Sequence, residues 1–63
     1  MKMYWCVTST YYDDGRCTAY ITDCVNAEKK PNAMHKEMKR FDIWNDWFDS
    51  REKANLFMIS CRS

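Results

Sequence analysis

The sequence predicts an α+β domain in which a three-stranded antiparallel sheet carries one C-terminal α-helix on one face. Two β-prone runs near the N-terminus are separated by a turn, which is typical of a β-hairpin. A later run alternates apolar and polar residues as a third strand does. The last segment combines a helix-capping sequence with a helical stripe of apolar residues. At 63 residues, the chain is expected to be a single small domain, 1–63, with little core to spare.

The predicted hairpin joins the uncharged run 3–12 (MYWCVTSTYY) to 16–25 (RCTAYITDCV) through the turn 13–15 (DDG). A three-residue loop, with its glycine in the left-handed conformation, pairs Val7 with Ile21. A two-residue turn would mix polar and apolar side chains on both faces. The three-residue loop is preferred because it collects the apolar side chains on one face.

The polar segment 26–39 is interpreted as a connecting loop with room for one helical turn at 33–38. Residues 41–48 (FDIWNDWF) then alternate, and their odd-numbered aromatic and aliphatic members are expected to face the core. The same residues also extend a helical stripe, so a helix is the alternative. The aromatic and β-branched composition favours the strand.

The last element is predicted to be a helix over 50–62. Asp49 and Glu52 have the spacing of a capping box, and apolar residues recur after them at helical intervals. Leu56 is expected at the half-buried edge of the stripe. The predicted core consists of Trp5, Val7, Ala19, Ile21, Phe41, Ile43, Trp47, Phe57 and Met58.

The place of the first strand in the sheet has two alternatives. In a simple meander the third strand pairs with the second, which leaves 3–12 on an edge without a Lys, Pro or inward charge to prevent pairing. Such an edge predicts self-association, as a homodimer. Parallel pairing of the third strand with the first would instead make the first strand central, and 26–39 is long enough for that crossover.

Composition excludes some classes of protein and leaves others. Ten Lys and Arg against nine Asp and Glu give a net charge of +1, which argues against a general nucleic-acid binder. No stretch approaches the ~20 apolar residues of a membrane-spanning helix, and no secretory signal follows Lys2. We therefore expect a cytoplasmic accessory protein of bacterial or phage type, with no membrane partner.

Metal, cofactor and catalytic sites are not predicted. Cys6, Cys17, Cys24 and Cys61 contain no C-x2-C pair, so they are interpreted as reduced, metal-free cysteines. The chain has one histidine, His35, and its one glycine belongs to the turn. No catalytic motif is present, so we expect a protein that is not an enzyme and carries no cofactor.

The candidate site is the sheet face opposite the helix, because no second helix is available to cover it. Four aromatic residues are expected together on this face, interleaved with threonines, and such a Tyr- and Trp-rich cluster is typical of the centre of a protein interface. We predict that this face or the strand edge binds a protein partner or a second copy. A sheet that binds nucleic acid is the alternative, with bases stacked on the tyrosines. The predicted partner-binding residues are Tyr4, Thr8, Thr10, Tyr12, Tyr20 and Trp44.

Overall fold

The computed structural model describes residues 1–62 as one antiparallel sheet with a C-terminal helix. The elements are β1 (Lys2–Tyr12), β2 (Cys17–Ala27), β3 (Met34–Glu37), β4 (Phe41–Phe48) and α1 (Arg51–Arg62). The strand order across the sheet is β2-β1-β4-β3. The predicted α+β class, the hairpin, the strand at 41–48 and the C-terminal helix are confirmed, but the sheet has four strands rather than three.

The hairpin has the predicted register next to its turn. Val7 lies opposite Ile21, and the N–H of Tyr12 donates to the carbonyl of Arg16 at 2.9 Å. Gly15 has a φ of 90°, which is the left-handed conformation that the three-residue loop requires. Further from the turn, a β-bulge changes the register between Cys6 and Val7. The sequence did not predict this irregularity.

The bulge inserts one extra residue, Thr22, into β2. Cys6 therefore pairs with Asp23, and Tyr4 with Val25. An uninterrupted register would have paired Met3 with Val25 and placed that valine on the helix-covered face. Because paired residues share a face of the sheet, Val25 instead lies on the face opposite the helix.

The extra strand is β3, which the sequence analysis interpreted as loop with a helical turn. Met34 pairs with Asn45 and Glu37 with Asp42, and the N–H of Met38 closes the turn by donating to the carbonyl of Phe41. Every residue of β3 is exposed. Backbone pairing with β4, rather than burial of side chains, forms this strand, so hydrophobic periodicity could not reveal it.

Strand β1 is central, with β2 on one side and β4 on the other. The meander prediction, which placed 3–12 at the edge, is therefore wrong. Central placement is correct, but β4 runs antiparallel to β1 rather than parallel, because β3 reverses the chain direction before β4 begins. The two edges of the sheet are β2 and β3.

Helix α1 packs mainly against β1 and β2. The centre of this contact is made of small side chains that are fully buried, namely Val7, Ser9, Ala19 and Ala54. The N-cap is Ser50, whose Oγ accepts from the N–H of Lys53 at 3.4 Å. Asp49 is not the cap that its spacing predicted. Its carboxylate instead binds Lys53 Nζ at 3.1 Å.

Strand β4 presents its even-numbered residues to the helix side, which reverses the predicted assignment. Phe48 packs against Phe57 at a ring distance of 5.1 Å. Only 49–50 separate β4 from the helix, so the last residue of the strand must lie under the first turns of α1. The predicted core positions Phe41, Ile43 and Trp47 consequently lie on the opposite face, where each is half-buried.

The rest of the predicted core is confirmed. Trp5, Ile21, Phe57 and Met58 pack against the buried cluster around Val7. Leu56, expected to be half-buried, is 62% exposed on the outer side of α1. The helix covers β1 and β2 more than β4, which is why Asp42 and Asp46 are tolerated on the helix side of β4.

Candidate functional site

The sheet face opposite α1, called the outer face from here on, carries three rows of side chains. Direct cross-strand partners in an antiparallel sheet share one face and lie side by side, so the pairings define the rows. The rows are Tyr20–Thr8–Asn45–Met34, Thr18–Thr10–Ile43–Lys36 and Tyr12–Phe41. These ten residues are called the outer patch.

The outer patch is aromatic, aliphatic and hydroxylic, with almost no charge. Tyr20 is 56% exposed at the β2 edge, and Met34 is 61% exposed at the β3 edge. Between them, Thr8, Thr10 and the half-buried residues of β4 form the middle of the surface. Lys36 is the single charged member of the patch, and it lies at the β3 edge.

A chain of hydrogen bonds fixes the middle of the patch. The Thr8 hydroxyl donates to Asn45 Oδ1 at 2.7 Å. Because that hydroxyl has one proton, the 2.8 Å contact between Thr8 and Thr22 must have Thr22 as its donor. This series of hydrogen bonds connects β2, β1 and β4 through their side chains. It holds the middle of the patch in one geometry.

Two aromatic rings and one ion pair lie at the hairpin end of the outer patch. The Tyr12 and Phe41 rings lie 5.9 Å apart, and the Arg16 guanidinium lies 5.3 Å from the Tyr12 ring centre. Arg16 also binds the Asp14 carboxylate at 2.7 Å. The backbone N–H of Arg16 and its guanidinium lower the pKa of Asp14, so this cation has a local counter-charge. A shallow depression here is lined by Tyr12, Asp13, Asp14, Arg16 and Arg40.

Four of the six predicted site residues come together in the outer patch, namely Thr8, Thr10, Tyr12 and Tyr20. Tyr4 lies on the same face but is only 7% exposed, beside Cys6. Trp44 lies on the other face, so its predicted placement on the outer face is wrong. It is the cross-strand partner of Ser9, whose hydroxyl contacts the helix residue Cys61.

Sequence reasoning missed the contribution of β3 and β4 to the patch. Phe41, Ile43, Asn45 and Met34 belong to it. The alternation of 41–48 was recognised, but it was assigned to the wrong face because the helix was expected to cover this strand. The short link between β4 and α1 is the sequence feature from which the correct assignment could have been made.

On the helix side of β3 and β4, the side chains of His35, Trp44 and Asp42 form a separate cluster. The His35 imidazole stacks on the Trp44 indole at 3.8 Å with an angle of 7° between the planes, and His35 Nε2 lies 3.8 Å from Asp42 Oδ1. In this row Trp44 lies between His35 and Ser9. The indole therefore separates the imidazole from the serine hydroxyl.

A sulfur-containing cluster lies where the end of α1 meets the hairpin. Cys61 Sγ is 3.7 Å from Tyr11 Oη and 3.8 Å from Ser9 Oγ. The contact with Cys61, followed by burial, raises the pKa of Tyr11 to about 12. Burial, followed by the electrostatic influence of Cys61, raises the pKa of Cys17.

Within residues 1–62, His, Cys, Asp and Glu side chains form no group of three or more that could hold a metal ion. Across the same residues, no helix has the length and apolar character needed to span a membrane. No protein-family model, curated protein or solved structure matches this chain.

Proposed function

We propose that this protein is a small, non-enzymatic interaction module that binds a protein through its outer patch, and that a second copy of the chain is the partner. The observation that carries the proposal is the composition of the patch. Ten side chains in three aligned rows include only one charge, and no element of the described chain packs on them in the way that α1 packs on the other face.

The size of the face supports a protein partner. The two larger Cα extents of the molecule are 40 and 22 Å. They outline a face of on the order of 800 Å² for the whole molecule, which is similar to the area that each partner buries in a stable interface of standard size, and the outer patch occupies the hairpin end of this face. Tyrosine and other aromatic residues are enriched at such interfaces because they combine apolar area with a polar group.

Charge supports a second copy as that partner. The net charge of +1 produces little repulsion between identical chains. A two-fold axis along the strands would place the β2 edge of one copy over the β3 edge of the other. Tyr20 would then meet Met34, and Thr10 would meet Ile43, so the two most exposed apolar members of the patch would cover each other.

The non-enzymatic part of the proposal is supported by the positions of the chemically active groups. His35 is stacked on Trp44, which separates it from Ser9. The cysteines Cys17 and Cys61 lie against Tyr11, two strands away from the imidazole. General-base activation of a nucleophile needs the two groups within hydrogen-bond reach, and this arrangement holds them apart. A cytoplasmic location is proposed with this function.

Sedimentation velocity over a concentration series tests the proposal. We expect a monomer–dimer equilibrium with dimer dominant at tens of micromolar. Thr10→Lys places a charge in the middle row of the patch and should leave only monomer, because two desolvated ammonium groups would face the partner surface. The matched control is Ile59→Lys, which adds the same charge at a position that is 59% exposed on α1.

Circular dichroism of both variants should match that of the wild-type protein. A wild-type chain that stays monomeric at every concentration would contradict the proposal, as would a dimer that Ile59→Lys disrupts and Thr10→Lys does not. A parallel gel shift with duplex and single-stranded DNA tests the competing function. Tight binding that weakens steeply with salt would favour a nucleic-acid partner over a second copy.

A further inference from the structure

Two of the four cysteines meet at one place in the fold. Cys61, near the end of α1, has its sulfur 3.7 Å from Tyr11 Oη. Tyr11 is the direct cross-strand partner of Cys17, on the face that α1 covers. Direct partners in a sheet have Cβ atoms about 5 Å apart, so both sulfurs lie against the same tyrosine. Both cysteines are half-buried, which leaves them within reach of a small reagent.

The ionisation of Cys17 reflects the same proximity. Burial raises the pKa of Cys17, and the electrostatic influence of Cys61 raises it further. This direction agrees with the placement of both cysteines beside Tyr11, which the strand pairing and the Cys61–Tyr11 contact define.

We propose that Cys17 and Cys61 are a redox-responsive pair, which a small-molecule disulfide converts into an intramolecular disulfide linking β2 to the end of α1. This modification site is independent of the proposed binding function, because it lies on the face of the sheet opposite the outer patch. It concerns an oxidised state, whereas the prediction of four reduced cysteines concerns a reducing environment.

The chemistry proceeds by two thiol–disulfide exchanges. A thiolate of the pair attacks one sulfur of the reagent, forms a mixed disulfide and releases one reagent thiolate. The other protein thiolate then attacks the protein sulfur of that mixed disulfide, forms the Cys17–Cys61 bond and releases the second reagent thiolate. The protein loses two protons and two electrons, which together are two hydrogen atoms, and the reagent disulfide is reduced to two thiols.

The remaining cysteines provide an internal comparison. Cys6 is only 4% exposed and lies on the outer face, where its cross-strand partners are Asp23 and Trp47. Cys24 pairs with Trp5 and therefore lies on the helix side of the sheet. Because these two cysteines are on opposite faces, they cannot join without disruption of the strands.

The experiment uses the full chain, first reduced and then incubated with oxidised glutathione at mildly alkaline pH. Intact mass spectrometry should show the loss of two hydrogens, with one further glutathione adduct where the exposed Cys24 reacts, and alkylation under denaturing conditions should no longer label Cys17 and Cys61. Treatment with dithiothreitol should restore the original mass. The oxidised protein should also melt at a higher temperature than the reduced protein, because the bond constrains the unfolded chain over 17–61.

Cysteine variants identify the two residues that form the disulfide. Trypsin leaves Cys17 and Cys24 on one peptide, so the linkage is mapped in Cys24→Ser, which should oxidise like the wild-type protein. Cys61→Ala should instead stop at a glutathione adduct. The proposal would be overturned if the wild-type protein kept four alkylatable thiols after oxidation, or if the mapped bond involved Cys6 or Cys24. The intact mass decides the question on the wild-type chain even if a variant fails to fold, because an intramolecular disulfide removes two hydrogens whereas each mixed disulfide adds the mass of one glutathione.

Discussion

The two faces of the sheet are built from one central strand, but they have opposite properties. On the helix side, the centre consists of Val7, Ser9 and Ala19, none of which has any exposed surface, with Ala54 of the helix above them. On the outer side, the same strand presents Thr8, Thr10 and Tyr12 next to the hairpin turn and the buried Tyr4 and Cys6 further away, and no helix of residues 1–62 covers them. Small side chains let a helix approach closely, whereas the outer face has large rings that remain at the surface.

This difference shows what the alternation of side chains along a strand can predict about a sheet and what it cannot. A period of two determines which residues share a face, but both faces of this sheet contain aromatic residues, so composition alone does not identify the covered one. Side-chain size is the better guide here. The face of β1 and β2 with the smallest central residues is the face that receives the helix.

The largest expected effect comes from removing a ring under the helix. Phe57→Ala should lower the free energy of unfolding by about 3 kcal/mol, because the ring packs against Phe48 and the buried cluster. Phe41→Ala removes the same ring from the outer patch, where its neighbour is Tyr12, and should cost about half as much. Urea denaturation of both variants measures the ratio. Equal losses would contradict the distinction between the two faces.

Overfilling the helix contact should have the next largest effect. Ala54 has no exposed surface where α1 meets the sheet, so Ala54→Leu forces the helix away and should cost about 2 kcal/mol. Leu56→Ala, at a position that is 62% exposed on the same helix, should change stability by less than about 0.5 kcal/mol. If thermal denaturation showed Ala54→Leu to be neutral, the close helix approach would be wrong.

Breaking the hydrogen-bond chain of the outer patch should cost less. Thr8→Val keeps the shape of the side chain but removes the bonds to Asn45 and Thr22, with an expected loss of about 1 kcal/mol. Thr18→Val, on the same face of the edge strand, is the comparison and should be close to neutral. Equal effects of the two substitutions would show that the hydrogen bonds of Thr8 do not stabilise the sheet.

The smallest expected effect is a pH dependence at the Tyr11–Cys61 contact. The pKa of Tyr11 is raised from 10.0 to about 12, first by its hydrogen bond with Cys61 and then by burial. The unfolded chain therefore loses this proton before the folded chain does, and the stability from this group falls as pH rises from about 10 to 12. Urea midpoints under reducing conditions should decline less steeply in Tyr11→Phe and Cys61→Ala. If the urea midpoints of both variants declined with pH as steeply as those of the wild-type protein, the Tyr11–Cys61 contact would not be the origin of this pH dependence.

Much of the fold could be predicted from local sequence. The turn with Gly15, the strand at 41–48 and the helix with its stripe through Ala54 and Phe57 each follow from short-range patterns, and the structure confirms them. These elements were predictable because turn chemistry and hydrophobic periodicity act over a few residues.

The features that the sequence analysis missed or predicted wrongly depend on long-range pairing between strands. Strand β3 has no buried residue, so only its hydrogen bonds to β4 reveal it. The central position of β1 follows from that extra strand, and the bulge at Thr22 is a feature of the pairing between β1 and β2 that has no local signal. For the candidate site, the tyrosines and threonines of the hairpin were identified, whereas Trp44 was placed on the wrong face because the register between β1 and β4 has no local signal.

The central claim is that a second copy of the chain covers the outer patch, and hydroxyl-radical footprinting at low and high protein concentration tests it most directly. The claim predicts that Tyr20 and Met34, both well exposed in the single chain, become protected as concentration rises. Leu56 and Ile59, equally exposed on the outer side of α1, should react at the same rate throughout. Unchanged reactivity of Tyr20 and Met34, or protection confined to Leu56 and Ile59, would contradict it.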